Sequence, residues 1–283
     1  MGDSYIYKNQ KKLRWGYTTG TCAAAASLAA AVMLLRGRRM EQVSLTTPKG
    51  VRLDLEVEEM ETGENCVCCG VRKDAGDDPD VTDGLMVYSQ VRLPDADSGG
   101  AGDAREAGDA REAGDNTEAG DDRNACGDYV YEKDGLRLIL SGGVGVGRVT
   151  QCGLSCEVGK AAINPVPRQM IFEQVAGVCR ESGFKGVLSI EIRVPEALKV
   201  ADKTFNSRLG IQGGISILGT SGMVEPMSET ALLDTIRLEL RQRIRKGEKN
   251  LLVTPGNYGE SFVGTVLGLG LGQAVKCSNF IGS

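Results

Sequence analysis

Three stretches of the chain place apolar residues at the spacing of one helix face. Each is entered through residues that favour a helix start: the first through the threonines of 16–21, the second through Asn164 and Pro165, and the third through Ser228. A fourth, shorter helix is predicted over 261–267. The apolar stripes are Leu28, Val32 and Leu35 in the first helix, Ile171, Val175 and Val178 in the second, and Leu232, Leu233, Ile236, Leu240 and Ile244 in the third.

Runs of β-branched and other apolar residues between turn residues predict the strands. Residues 43–45 and 51–57 read as a hairpin, and further strands are predicted over 66–71, 85–93, 136–140 and 187–194. The last three, over 215–218, 251–253 and 274–277, alternate with helices, which is typical of a parallel Rossmann-like sheet that binds ligands at the carboxyl ends of its strands. We therefore predict an α+β domain over 1–203 and a mainly parallel α/β Rossmann-like domain over 204–283.

An acidic segment over 97–128 repeats Gly-Asp-Ala-Arg-Glu-Ala in degenerate form from Gly102. It offers only alanine where a repeat fold needs a large apolar residue, so we predict a disordered insertion. We expect it to extend a surface hairpin between Leu93 and Tyr129 and to be dispensable for chemistry. The segment carries a charge of −7 within a chain of −5, which leaves +2 for the remainder. That balance argues against a nucleic-acid partner and permits an anionic small molecule.

Nine cysteines without regular spacing fit a reducing compartment, and the N-terminus is too polar for a secretory signal. The longest apolar run, over 23–35, is shorter than the roughly 20 residues of a membrane span. We expect a cytoplasmic protein that does not bind a membrane. The chain has no histidine, the commonest general base, and its cysteines lack a second pair at zinc-site spacing. We therefore expect no metal site.

Charged and polar residues concentrate in two places. The loop 71–82 sets Asp74, Asp77, Asp78 and Asp80 beside two cations, and two interpretations stay open: a solvated turn, or a loop that uses its charges. The first helix start is either an anion site or an ordinary capped helix packed closely on a sheet. The glycines of 142–147 fail the dinucleotide spacing, and are either a loop close to a ligand or a strand with tight bends.

Seven stretches, in order, resemble the cobalt-precorrin-5B C1-methyltransferase (CbiD) family of anaerobic cobalamin biosynthesis. They cover nearly the whole chain, and long unusual strings are more specific than short motifs. The stretches are GYTTGTCAAAA (16–26), VRKDAGDDPDVT (71–82), GVGRVT (145–150), AINPVPR (162–168), TFNSRLGIQGGISILGTSGMVEPMS (204–228), PGNYGE (255–260) and VKCSNFIG (275–282).

The resemblance implies transfer of a methyl group from S-adenosylmethionine to carbon 1 of cobalt-precorrin-5B, giving cobalt-precorrin-6A. Cobalt then enters only as part of the anionic corrinoid substrate, and other enzymes of the pathway are possible partners. The resemblance also implies a two-part fold whose Rossmann-like part is C-terminal.

Site residues follow from the resemblance together with their chemistry. Asp74, Asp77 and Asp78 are the predicted acceptors if a proton must leave the substrate. For the carboxylates of the substrate we predict Arg14, Thr18, Thr19, Thr21, Arg72, Lys73, Asn164 and Arg168. For the methyl donor we predict Gly219, Thr220, Ser221, Gly222, Glu225, Gly256, Asn257 and Tyr258.

Family members continue beyond the VKCSNFIG stretch, so we expect the Rossmann-like part to be incomplete at one side of its sheet. An alternative is therefore a non-catalytic corrinoid-binding remnant that has lost donor binding. An oxidoreductase is disfavoured by the glycine spacing. Radical use of S-adenosylmethionine is disfavoured because Cys152 and Cys156 lack a third cysteine.

Overall fold

The computed structural model describes residues 5–8, 10–94, 127–207, 209–266, 268 and 274–277. In chain order, its first strands are β1 (Tyr5–Lys8), β2 (Lys11–Arg14), β3 (Gly16–Tyr17), β4 (Gln42–Thr46), β5 (Arg52–Glu56), β6 (Glu58–Thr62), β7 (Cys66–Arg72), β8 (Met86–Arg92) and β9 (Tyr129–Lys133). They are followed by β10 (Leu136–Gly142), β11 (Gly145–Val146), β12 (Arg148–Val149), β13 (Gly186–Arg193), β14 (Ile211–Gln212), β15 (Gly214–Ile215), β16 (Met223–Val224), β17 (Leu252–Thr254) and β18 (Ala274–Lys276). The helices are α1 (Thr19–Arg36), α2 (Pro165–Glu181), α3 (Glu229–Arg245) and α4 (Gly256–Val266).

A six-stranded mixed sheet with the order β6-β7-β8-β13-β10-β9 forms the main core. Only β10 and β13 pair in parallel within it, and the other neighbours are antiparallel. Alternate residues of β10 and β13 are 0% exposed, as expected for strands with one face on a core: Leu138, Leu140, Leu188, Ile190 and Ile192. Helices α1 and α2 pack against this sheet and against each other.

Helix α1 packs closely because its buried side chains are small. Thr18 caps its start by accepting a hydrogen bond from the Thr21 backbone, and Gly37 ends it in the left-handed conformation. The seven alanines at 23–26 and 29–31 are each 0% exposed. The helix is long and apolar enough to cross a membrane by length and composition, but 72% of it is buried inside the fold. These are the properties of a central core helix.

The predicted hairpin between Leu93 and Tyr129 is wrong. Strands β8 and β9 are not neighbours, because β13 and β10 lie between them in the sheet. Residues 95–126, most of the acidic segment, lie outside the described residues, so its predicted disorder is not tested. Asp128, the last residue of the acidic segment, lies within the described part of the chain and has a structural role. It accepts hydrogen bonds from the backbones of Gly142 and Ala161 and pairs with Arg148 at 2.8 Å.

The C-terminal part contains a parallel strand pair, β17 and β18, which α4 separates along the chain. Helix α3 starts at its predicted cap Ser228, and Ile236 packs against β18, but Ile244 is 60% exposed and does not belong to the buried stripe. The predicted strand over 215–218 is shorter and pairs elsewhere: β15 lies parallel to β11. Strands β14 and β16 likewise pair with β12 and β3, before residue 204. The boundary between 203 and 204 stays a prediction.

Candidate functional site

A cavity of about 390 Å³ opens where the acidic loop, the start of α1 and the chain from 203 to 218 meet. Three of the motif stretches contribute to its wall, so residues far apart in sequence converge there. Its lining consists of Thr18, Thr19, Lys73, Asp78, Pro79, Asp80, Val81, Thr82, Lys203, Thr204, Phe205, Asn206, Leu209, Ile215, Ser216, Leu218, Val224 and Thr235.

Two of the three predicted proton acceptors are bound within the protein and do not line this cavity. Asp74 accepts hydrogen bonds from both terminal nitrogens of Arg14, at 2.6 and 2.8 Å, and from the backbone N–H of Gly76. Hydrogen bonding from Arg14 holds the pKa of Asp74 below its usual value. Asp77 accepts the backbone N–H of Arg14 at 2.6 Å. These carboxylates fasten the loop to the end of β2, and their role as proton acceptors stays a prediction.

Asp78 is the one predicted proton acceptor that lines the cavity. Its Oδ1 accepts the backbone N–H of Met227 at 2.9 Å, which ties the acidic loop to the segment before α3. Among the described residues, none donates a hydrogen bond to its second carboxylate oxygen. Asp78 can therefore hold a ligand group without losing its place in the fold.

Lys73 and Asp80 form a buried ion pair in the cavity wall. The Lys73 side chain is 2% exposed, and its ammonium donates to Asp80 Oδ2 at 2.7 Å. Thr82 donates its backbone N–H and its hydroxyl to Asp80 Oδ1. Burial alone raises the pKa of Asp80, but the Lys73 charge and these donors outweigh it and lower that pKa overall. The loop thus uses its charges, which favours the second interpretation of the sequence.

The start of α1 is closed by the segment 218–222. Gly20 donates its backbone N–H to the Leu218 carbonyl at 3.0 Å. The Thr19 hydroxyl donates to the same carbonyl and accepts a hydrogen bond from the Leu218 backbone N–H. Thr21 is fully buried, donates to the Gly222 carbonyl at 2.6 Å and does not line the cavity, and its contact with substrate stays a prediction. These contacts favour a capped, closely packed helix over an open anion site. Thr18 and Thr19 still line the cavity.

The glycine turn after Leu218 is shaped by this packing. A Cβ at Gly219 would overlap the Thr18 side chain, and one at Gly222 would lie 2.8 Å from Thr47 Cβ. The Ser221 carbonyl accepts the backbone N–H of Lys49, and its hydroxyl bonds Met223. Thr220 is exposed. Both glycines are explained by close contact within the protein, although Leu218 and Val224 on either side of the turn line the cavity.

The other predicted donor residues lie apart from this lining. Glu225 pairs with Lys8 at 3.1 Å, and the same ammonium donates to the carbonyls of Pro226 and Met227. The backbone of Gly256, Asn257 and Tyr258 forms the first turn of α4, so the predicted turn before a helix at 261 is wrong. This first turn directly follows β17, at the carboxyl end of the parallel pair.

The remaining predicted substrate residues are engaged with protein groups. Arg72 pairs with Glu58 at 2.9 Å, and Asn164, the N-cap residue of α2, accepts a weak hydrogen bond from Cys156. The Arg168 guanidinium lies 3.9 Å from the centre of the Tyr129 ring, and its Nε is buried without a hydrogen-bond partner among the described residues. Contact of these residues with substrate stays a prediction.

Sequence reasoning missed several cavity residues that are neither charged nor glycine. Phe205 is 49% exposed in the cavity wall, and Asn206 accepts a hydrogen bond from Ser216 at 2.9 Å. Both asparagine and phenylalanine stand in the TFNS string that carried part of the resemblance, which was the available signal. Within the described ranges, no group of three or more acidic or cysteine side chains is arranged to hold a metal ion.

The fold is of the mixed α/β class, and a cavity lined by charged, polar and apolar residues lies beside its central helix. A model of the CbiD family matches residues 6–226, and the chain belongs to the CbiD family. Relatives named cobalt-precorrin-5B C(1)-methyltransferase include those of Ruminiclostridium cellulolyticum, 45% identical over 99% of this chain and 62% of the relative, and Thermoanaerobacter sp., 45% identical over 98% and 64%. The chain thus spans about three-fifths of the length of these relatives.

A crystal structure of the cobalamin biosynthesis protein CbiD from Archaeoglobus fulgidus resembles this fold with a TM-score of 0.50. It is 27% identical, and the match covers 92% of this chain and 70% of that one. The family resemblance and the mixed α/β class predicted from the sequence are confirmed.

Proposed function

We propose that this protein acts as a cobalt-precorrin-5B C1-methyltransferase that uses S-adenosylmethionine as the methyl donor and yields cobalt-precorrin-6A. The observation that carries the proposal is the cavity, because three of the family-like stretches, each more than 40 residues from the next in the chain, supply its wall. The names of the relatives support the same reaction. A cytoplasmic location fits the free thiols at Cys22, Cys69 and Cys179 and the biosynthetic reaction.

Methyl transfer needs positioning more than a nucleophilic side chain. The electron-rich ring carbon attacks the methyl carbon, the carbon–sulfur bond breaks, and the electron pair stays on sulfur, which leaves neutral S-adenosylhomocysteine. Holding the ring carbon, methyl carbon and sulfur in line supplies much of the rate enhancement. Of the three predicted proton acceptors, Asp78 is the one able to reach a ligand in the cavity, since Asp74 and Asp77 are bound to Arg14.

We further propose that the C-terminal part of the chain has a Rossmann-like fold. It is supported by the parallel pair of β17 and β18 with α4 between them in the chain. The first turn of α4, at Gly256 to Tyr258, has the position in which such folds bind ligands. Lys203, an exposed cation among the residues that line the cavity, is available to pair with a carboxylate of the corrinoid.

The proposal is tested by incubating the 283-residue chain with S-adenosylmethionine and cobalt-precorrin-5B and measuring the corrinoid mass. A mass increase of one methyl group is expected. Asp78→Asn is expected to reduce the rate, whereas Asp134→Asn, at an exposed aspartate of the β9–β10 turn outside the cavity, is the control. A folded chain that binds corrinoid without methylating it would contradict the proposal and support the non-catalytic alternative.

A further inference from the structure

We propose that the cavity encloses the methyl donor, with the corrinoid lying over its open side. The proposal rests on the proposed function and deepens it by choosing between two ligands that differ greatly in size and charge. It replaces the predicted donor contacts at Gly219, Gly222 and the start of α4 with residues of the cavity wall.

The volume of the cavity suits the methyl donor and not the whole corrinoid. Pockets that enclose one drug-sized molecule measure roughly 300–1,000 Å³, and at about 390 Å³ this cavity lies at the small end of that range. A nucleoside joined to one amino acid is a molecule of that class. A corrinoid is a macrocycle of four linked rings with several carboxylate arms, so the cavity could admit only its edge.

The charges of the cavity lining also suit the methyl donor. The lining holds two carboxylates, Asp78 and Asp80, and two ammonium groups, Lys73 and Lys203. Such a lining has no net positive charge to attract a polycarboxylate, and its aspartates would repel one. The donor instead carries a carboxylate, an ammonium group and a sulfonium, and groups of both signs therefore suit it.

Unused hydrogen-bonding capacity indicates how the donor is oriented. The Lys73 ammonium has three N–H donors and bonds Asp80 with one, so it can also bind the carboxylate of the donor. Asp78 keeps one carboxylate oxygen without a donor among the described residues, and this oxygen suits the ribose hydroxyls or the donor ammonium. Asp78 then has a binding role, distinct from removal of a proton.

Phe205 supplies a surface for the purine ring. It is 49% exposed although it lines a cavity, and aromatic side chains in such positions stack on bases. Val81 and Leu218, at 43% and 48% exposed, are further apolar residues of the same lining. Together they give the opening an apolar rim on which the flat face of the macrocycle can lie.

Calorimetry of S-adenosylhomocysteine against the full 283-residue chain tests the proposal. We expect one binding site, with affinity reduced about tenfold or more by Phe205→Ala, from the loss of stacking. Asp78→Asn should weaken binding about 10- to 100-fold, from the loss of a charge-assisted hydrogen bond. The matched controls are Phe262→Ala, a phenylalanine that is 55% exposed and outside the lining, and Asp134→Asn, an exposed aspartate of the β9–β10 turn.

Circular dichroism of each variant separates loss of fold from loss of binding. Unchanged affinity in both Phe205→Ala and Asp78→Asn would overturn the proposal, as would absence of donor binding by a folded wild-type chain.

The proposed function is judged separately by methylation. Methyl transfer with unaffected donor binding in both variants would retain the function and place the donor elsewhere. If Asp78→Asn lowers kcat while donor Kd is unchanged, Asp78 handles a proton and does not bind the donor.

Discussion

Lys73 is a buried lysine whose charge is balanced by Asp80, and this pair holds the acidic loop at the cavity. Asp80→Asn would leave the ammonium buried without its partner. Loss of one member of a buried pair costs about 3–5 kcal/mol, and the lower end is expected because the Asp80 side chain is 27% exposed. Urea unfolding measures the change. Glu41→Gln, in an ion pair with side chains 67% and 77% exposed, is the control and should have no measurable effect.

The same pair predicts how stability depends on pH. The pKa of Asp80 is lower in the folded chain than in the unfolded chain, so its stabilisation is complete above about pH 5 and is lost as the pH falls through the folded pKa. Unfolding free energy measured between about pH 6 and 3 should therefore fall more steeply in the wild type than in Asp80→Asn. Equal slopes would show that Lys73 does not stabilise the charged form of Asp80.

Gly219 has a conformation and a contact that only glycine accommodates. Its φ is +138°, and a Cβ would overlap Thr18 at the start of α1. Gly219→Ala should destabilise the chain by about 2 kcal/mol or more, measured by urea unfolding. Gly177→Ala, inside α2 with no atom within 4 Å of the added Cβ, should instead stabilise it by about 0.5–1 kcal/mol. Equal stability of the Gly219 variant and wild type would contradict the close packing described for this turn.

Local chemistry predicted some of these residues but not their partners. Ser228 was predicted as a helix cap, and the start of α1 was predicted within the threonines of 16–21, because a cap depends on its immediate neighbours. The pairing of Arg14 with Asp74, 60 positions apart, has no local signal. The acidic loop was therefore identified from the sequence, but which of its aspartates lines the cavity was not.

Helix α1 is an element whose side-chain size sets its distance from α2 and the sheet. Ala25 is 0% exposed, and a larger side chain there must displace neighbouring residues. Ala25→Leu should destabilise the chain by about 1–3 kcal/mol, as measured by chemical unfolding. Ala231→Leu, at an exposed position of α3, is the control and should change stability by less than about 0.5 kcal/mol. A neutral Ala25 variant would mean that the alanine run is not needed for close packing.

Helices and strands were predicted better than their arrangement. The stripes of α1 and α2 and the strands β7, β8, β10 and β13 follow from residue periodicity. The insertion of β13 between β8 and β10 does not, because long-range pairing is decided by packing of the assembled sheet. Packing of the assembled fold also decides that β15 pairs with β11 and not with β17 or β18.

The acidic segment should be dispensable for folding and ligand binding. It lies between β8 and β9, whose ends are three strand spacings apart in the sheet. That distance is about 15 Å, which at least about five extended residues can span. Replacing 95–126 with a Gly-Ser linker of about eight residues should leave the thermal midpoint and S-adenosylhomocysteine affinity unchanged. A chain of this design that loses donor binding would contradict this prediction.

The central claim is that the cavity is a site of methyl transfer to carbon 1 of the corrinoid. The most direct measurement is ¹³C NMR of the corrinoid after reaction with S-adenosylmethionine labelled in its methyl group. We predict one labelled methyl resonance, on carbon 1, formed by the wild type and by Phe262→Ala and strongly reduced with Phe205→Ala. An unlabelled corrinoid, a label on another carbon, or equal labelling by the two phenylalanine variants would contradict the claim.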